Sequence, residues 1–321
     1  MQYRKTRGAP FSWSAFLLSL GIGLLVWQCQ SAPQKKTTEE NPSETPAAPT
    51  AKSAAEESTV RLISLDGALT EVVYAAGMGD QLVAVDVTST YPPERLAEVK
   101  KLGHVRQLQA EGVLALEPDR ILVKEGTMDE QLHQQLEATG AEVMPIEHES
   151  NVEGAQKMIR TLAQTLGRPE KGQAIIQRME DSLAQVEPLP AKPKVLFIYA
   201  RGAGTLMVGG QGTAMDEMIQ LAGARNAAAE LEGFKPLTAE ALVSAQPDIL
   251  LFFDSGLKSL GGMEAIASQV NGMAQTPAYQ NKAIISMEGQ LLGGFGPRLG
   301  HAVLELQRKI KKHVSSASAQ R

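Results

Sequence analysis

Residues 151–190 read NVEGAQKMIRTLAQTLGRPEKGQAIIQRMEDSLAQVEPLP. Val152, Ala155, Ile159, Leu162, Ala163 and Leu166 recur at the spacing of a single helical face. Gly167 closes that run, and Pro169 suits the first position of a second helix extending to Val186. Pro188, Pro190 and Pro193 then break the chain. The helical stretch separates two blocks of a different rhythm, so reading it as a linker decides the fold.

On its N-terminal side, short apolar strands are expected at 60–65, 82–85, 120–123 and 142–146. Helical segments alternate with them at 68–76, stopped by Gly77, at 111–116, and at 129–138, closed by Gly140. On the C-terminal side a strand at 195–199 restarts the alternation. Such alternation implies a parallel α/β sheet. The two blocks also echo each other. Ala110-Glu111 and Pro118-Asp119 bracket a helix leading into a strand, as Ala239-Glu240 and Pro247-Asp248 do at the same spacing. Glu71 precedes Ala76-Gly77 as Glu217 precedes Ala222-Gly223. The expected fold class is α/β: two Rossmann-like lobes, 60–148 and 191–313, joined by a long interlobe helix within the 149–190 linker. Ligands of such sheets sit beyond the carboxyl ends of the strands, so facing lobes make a cleft.

Composition narrows the class of function. The net charge of −5 argues against a nucleic-acid partner, which usually meets a basic face. Arg4, Lys5 and Arg7, an apolar run at 16–27 and the lone Cys29 form a secretory pattern. Residues 1–29 are therefore expected to be an export signal with Cys29 lipidated at its end, the alternative being an uncleaved anchor. Residues 30–58 are rich in Pro, Ser, Thr, Ala, Glu and Lys and read as a tether. The expected location is extracytoplasmic, on a membrane through a lipid anchor.

No enzyme motif stands out: there is no phosphate-binding loop, no His-Glu-x-x-His and no Gly-x-Ser-x-Gly. The glycines at 202–204 and 209–212 lack dinucleotide-site spacing and read as tight loops. His104 neighbours the most informative loop, while His133, His148, His301 and His313 are expected on surfaces; together they show no zinc-like spacing. That loop is Asp86-Val87-Thr88-Ser89-Thr90-Tyr91-Pro92-Pro93, which follows a strand and so presents Tyr91 to the cleft. Pro92 biases Tyr91 towards an extended backbone.

Ser89-Thr90-Tyr91-Pro92, Leu102-Gly103-His104-Val105-Arg106 and Ala110-Glu111-Gly112-Val113-Leu114-Ala115-Leu116-Glu117-Pro118 resemble the periplasmic haem-binding proteins of bacterial haem importers. So do Gly212-Thr213-Ala214, Gly223-Ala224-Arg225-Asn226, Phe234-Lys235-Pro236-Leu237 and Gly294-Phe295-Gly296-Pro297-Arg298. The resemblance spans residues 60–310. It implies haem of the b type as transported ligand, an ABC permease with its ATPase subunits as partners, a monomer, and no enzymatic activity. It assigns Tyr91 as the ligand of ferric iron. Phenolate is a hard anionic ligand for ferric haem, and a nearby cation favours it over the phenol. Arg106, Arg201 and Arg298 are candidates for the propionates, and Met207 for a soft contact in the cleft. Some relatives add a histidine from the second lobe, but none follows Tyr199 here. The resemblance also implies one acidic docking residue per lobe, and the internal repeat nominates Glu71 and Glu217, with Asp216 as substitute. The wider family also binds cobalamin and ferric siderophores, which are the alternative ligands; a lipid-anchored α/β enzyme is the third reading.

Overall fold

The structure, a computed structural model, describes residues 60–189 and 191–318. The export signal, Cys29 and the tether expected from the sequence lie outside the described residues. Leu62–Ser64 form β1, and all three residues are buried. A strand covered on both faces belongs in the middle of a parallel sheet. Asp66 then caps α1 (Gly67–Ala75), its carboxylate accepting from the Ala68 and Leu69 amides. The chain continues through β2 (Leu82–Val85), α2 (Pro93–Leu96), β3 (Lys100–Lys101), α3 (Ala110–Leu114), β4 (Arg120–Lys124), α4 (Glu130–Glu137) and β5 (Glu142–Ile146). The five strands are ordered β3-β2-β1-β4-β5, and every pairing is parallel.

The linker is a pair of helices, α5 (Val152–Thr165) and α6 (Pro169–Leu183), divided at Gly167 as the sequence pattern implies. Gly167 sits between them at φ +68°, the left-handed turn that Gly adopts without a steric penalty. The two helices pack on each other; α5 also touches α1, and α6 lies along the final helix of the second lobe.

That lobe runs β6 (Lys194–Ala200), β7 (Leu206–Gly209), α7 (Ala214–Leu221), β8 (Arg225–Asn226), β9 (Phe234–Pro236), α8 (Ala239–Ala245) and β10 (Ile249–Phe253). It ends with α9 (Asp254–Ser259), α10 (Ile266–Gln269), α11 (Pro277–Gln280), β11 (Ile284–Met287), α12 (Gly289–Gly293) and α13 (Leu299–Ser318). Strands β8, β6, β10 and β11 are parallel, but β7 runs antiparallel to β6 and β9 antiparallel to β7. This hairpin extension departs from plain α/β alternation. The turn is too short for a crossover helix, and it closes with the Arg201 amide donating to the Thr205 carbonyl.

The repeat seen in the sequence has a structural counterpart. Asp119 accepts from the Arg61 amide at 2.7 Å, and Asp248 accepts from the Lys194 amide at 2.8 Å. In each lobe this fixes the strand after the Pro-Asp pair beside the lobe's first strand. Helices α1 and α7 each end just before a glycine at positive φ, Gly77 and Gly223. One apolar core runs from Leu62, Leu69 and Val72 through Ile159 and Met179 into Phe197, Met218, Leu251 and Leu306. The lobes are thus tied by shared packing as well as by the linker.

Candidate functional site

The Tyr91 loop is held in place by a buried polar cluster. Asp86, at the end of β2, is 1% exposed and accepts from the Thr88 hydroxyl, the Ser89 hydroxyl and the Ser89 amide. Burial pushes its carboxyl up, and the Thr88 and Ser89 hydrogen bonds pull it back. Thr88 Oγ1 in turn accepts from the Gly67 amide at 2.9 Å. Lys101 Nζ donates to the Ser89 carbonyl at 2.6 Å. Thr70 of α1 joins Ser64 and Ser89 hydroxyl to hydroxyl. The loop is therefore fastened to β1, β3 and α1 before it reaches Tyr91, and the Tyr91–Pro92 peptide is cis. Tyr91 itself is 44% exposed.

The second lobe meets this loop through residues 288–298. Arg298 lays its guanidinium 4.0 Å from the centroid of the Tyr91 ring. Its Nη2 donates to Glu71 Oε1 at 2.6 Å, and Glu288 Oε2 stands 3.9 Å away. Thr90 Oγ1 donates to Glu288 Oε1 at 3.2 Å, while the same glutamate caps α12 by accepting from the Gln290 and Leu291 amides. Beside these contacts the backbones close in. A Cβ on Gly296 would lie 3.0 Å from Ala68 Cβ, a tight contact that glycine avoids where this segment approaches α1. The lobes are clasped where α1 and the Tyr91 loop meet α12 and the segment 294–298.

Glu71 does not occupy the exposed position that a docking residue needs. Its side chain is 4% exposed and is paired with Arg298 between the lobes. It lies on the inner face of α1, where Gly296 and Arg298 cover it. Burial raises its pKa, opposed by the hydrogen bond and charge of Arg298. Its counterpart Glu217 is half-buried in the first turn of α7. Asp216, the named substitute, is buried and accepts from Asn226 Nδ2 at 3.0 Å. The spacing that made Glu71 and Glu217 equivalent in sequence does not make their surroundings equivalent.

Among the other residues singled out by sequence, Arg201 and Met207 lie on the β6–β7 hairpin. Met207 faces Tyr199 across the pair, and the Arg201 guanidinium is 5.9 Å from the Tyr199 ring centroid. Arg106 is exposed on a 3₁₀ turn, Val105–Gln107, whose amide donates to His104 Nδ1. No contact among the described residues joins Arg106, Arg201 or Met207 to Tyr91.

Sequence reasoning missed the aromatic residues of the second lobe. Phe197, Tyr199 and Phe253 lie on one face of β6 and β10; Phe253 packs edge-on against Phe197 at 4.9 Å and Tyr199 at 6.3 Å. Phe234, exposed on β9, adds to the series at 6.5 Å from Phe197. Tyr199 and Phe253 stand at the carboxyl ends of their strands, with α12 resting on Phe253. The alternation of these residues along β6 and β10 carried the signal, but it could equally be read as core. A cavity of about 820 Å³ also lies within the second lobe, lined by Lys194, Leu196, Asp216, Asn226, Leu231 and Ala245; it takes no residue from the first lobe and is not the cleft.

His148 corrects another expectation, since it is buried rather than on a surface. It follows β5, and its Nε2 lies 3.1 Å from the Phe295 carbonyl, across the clasp. Its Nδ1 is buried without a partner. Burial pushes its pKa below 6.5; Asp66 pulls it up, Lys124 pushes it down, and the Phe295 carbonyl raises it. The folded state thus binds this proton less readily than the unfolded chain. Stability from this group is complete above pH 6.5 and is lost as pH falls from there towards the folded pKa. In His148→Gln, the amide can still donate to Phe295, so acidification from pH 7.5 to 5.5 is expected to lower the urea midpoint less than in the parent chain. Equal losses in the two proteins would remove His148 from this role.

The sequence profile of the periplasmic binding protein family matches residues 62–291. The structure is similar to that of the periplasmic haem-binding protein RhuT from Roseiflexus sp. RS-1, with a TM-score of 0.77 and 36% identity over 79% of this chain and 99% of that one. It is also similar to the periplasmic haem-binding protein BhuT in complex with two haems, with a TM-score of 0.73 and 36% identity over 79% and 98%. By sequence it is 28% identical over 257 residues to the ABC transporter substrate-binding lipoprotein YvrC of Bacillus subtilis, covering 78% of this chain and 79% of that one. It is 26% identical over 271 residues to the vitamin B12-binding protein of Vibrio parahaemolyticus, covering 83% and 94%. The chain belongs to the periplasmic binding protein family.

Proposed function

We propose that this chain is the substrate-binding component of an ABC importer and that it carries ferric haem, of the b type, in the cleft between its lobes. The observation that carries this reading is Tyr91: a half-exposed phenol on a fastened loop, with the Arg298 guanidinium on its ring face. On binding iron, the phenol gives up its proton to solvent and ligates as phenolate. Tyr199, Phe253 and Phe234 offer a flat macrocycle an apolar, aromatic wall. Arg106 and Arg201, one from each lobe, suit the propionates at the solvent edge, and Met207 suits a soft contact beside Tyr199. Haem-binding relatives at 36% identity support this ligand more strongly than B12-binding relatives at 26%. The latter support cobalamin as the second reading.

The family works outside the cytoplasm, which supports an extracytoplasmic location and a permease with its ATPase as partners. Lipidation at Cys29 is proposed from the sequence pattern and is supported by the lipoprotein relative. Docking is proposed to involve the α7 face around Glu217, and the protein to act as a monomer without catalytic activity. The test is an absorption titration of the purified chain with hemin, run beside cobalamin and a ferric siderophore. A saturable Soret change with hemin and none with the other two supports haem. Saturable binding of cobalamin alone moves the assignment to the second reading.

A further inference from the structure

Arg298 has three partners, and only one of them can hold its plane. The Tyr91 ring offers a face 4.0 Å from the guanidinium carbon, which fixes no direction within the ring plane. Glu288 stands 3.9 Å away with a half-exposed side chain already engaged by Thr90 and the α12 amides. Glu71 bonds Nη2 at 2.6 Å from a site that is closed to water. A charge-assisted hydrogen bond in that setting is short, directional and free of solvent competition. The buried Arg298 Nε has no partner, so Nη2–Glu71 is the bond that sets the orientation of the fork.

We infer that Glu71 is a positioning residue for Tyr91: it holds the Arg298 guanidinium over the ring face, and so keeps a cation beside the ligating oxygen's ring. This rests on the haem reading for its purpose, but the geometry it asserts does not. Glu71 acts in two opposing ways. As an anion it offsets part of the positive charge felt at Tyr91. As an anchor it keeps the guanidinium in place; without it, Arg298 turns towards Glu288 and solvent, and the phenolate loses its cation. The inference is that the anchor outweighs the charge.

Glu71→Asp separates the two effects, because it keeps the charge and withdraws the carboxylate by one methylene. In the ligand-free chain carrying ring-labelled tyrosine, the Tyr91 resonance is assigned by its loss in Tyr91→Phe. Arg298→Gln defines its position when the cation is gone. Glu71→Asp is expected to move the resonance towards that position, and Glu71→Gln, which keeps an acceptor oxygen in place, is expected to move it much less. In the hemin complex, the phenolate charge-transfer band is expected to shift in Glu71→Asp in the direction that Arg298→Gln shifts it, and to stay near its parent position in Glu71→Gln. A Tyr91 resonance and a charge-transfer band unchanged in Glu71→Asp would overturn the inference, and so would a band displaced in Glu71→Gln by as much as in Arg298→Gln. If hemin gives no such band in the parent chain, the haem reading fails while the ligand-free spectra still decide the role of Glu71.

Discussion

Arg298→Ala is expected to lower the free energy of unfolding by about 3–5 kcal/mol, the usual cost of leaving one member of a buried ion pair alone. The Glu71 side chain is 4% exposed and that of Arg298 is 19% exposed, so water cannot replace the lost partner. Burial already pushes the Glu71 carboxyl up, and removing Arg298 takes away the largest opposing influence. The folded variant therefore binds a proton at Glu71 more readily than the unfolded chain does. Its deficit is full above the raised folded pKa and shrinks as pH falls towards the unfolded value of 4.5. The double variant Glu71→Leu with Arg298→Met keeps the volume and removes both charges, so most of the loss is expected to return. Urea unfolding at pH 8 and pH 5 measures all of this. A deficit under about 1 kcal/mol at pH 8 would mean that the pair behaves as an exposed one.

The two-lobe fold was legible because its signals are local. Helical spacing from Val152 to Leu166, Gly167 and Pro169 place two helices, and the paired Pro-Asp motifs place a strand in each lobe at the same point. The hairpin β6–β7–β9 was not legible, since its strands are short and their direction is set by pairing rather than by pattern. Within the site, Tyr91 could be found from its loop and its resemblance, and Arg298 from its motif. Their contact could not, because it joins residues on opposite lobes. Glu71 shows the limit most clearly. Spacing to Gly77 identified its helix position but not which face of α1 it occupies, and that face is turned inward by the approach of Gly296. His148 is buried for a similar reason: the Phe295 carbonyl of the other lobe meets its ring.

Tyr91→Phe is expected to weaken hemin binding by more than about 100-fold. Removing groups that merely support a metal ligand costs about 10–100-fold, and here the ligand oxygen itself is lost. The ring remains, so the contact with the Arg298 guanidinium is retained. The hydroxyl has no hydrogen bond among the described residues, so its removal leaves no protein partner unsatisfied and folding stability is expected to hold. Competition titration of hemin gives the affinity, and urea unfolding gives the stability. Loss of affinity with unchanged stability assigns the effect to the iron bond. An affinity within about threefold of the parent would mean that iron is held elsewhere.

The bond itself can be observed. Resonance Raman spectroscopy of the hemin-loaded chain, excited in its charge-transfer band, enhances phenolate ring vibrations only when a tyrosine oxygen is on the iron. With ring-deuterated tyrosine these bands are expected to shift, and in Tyr91→Phe they are expected to vanish while the porphyrin modes remain. A loaded parent chain with no phenolate bands, or a Tyr91→Phe variant that keeps them, would contradict ligation of haem by Tyr91.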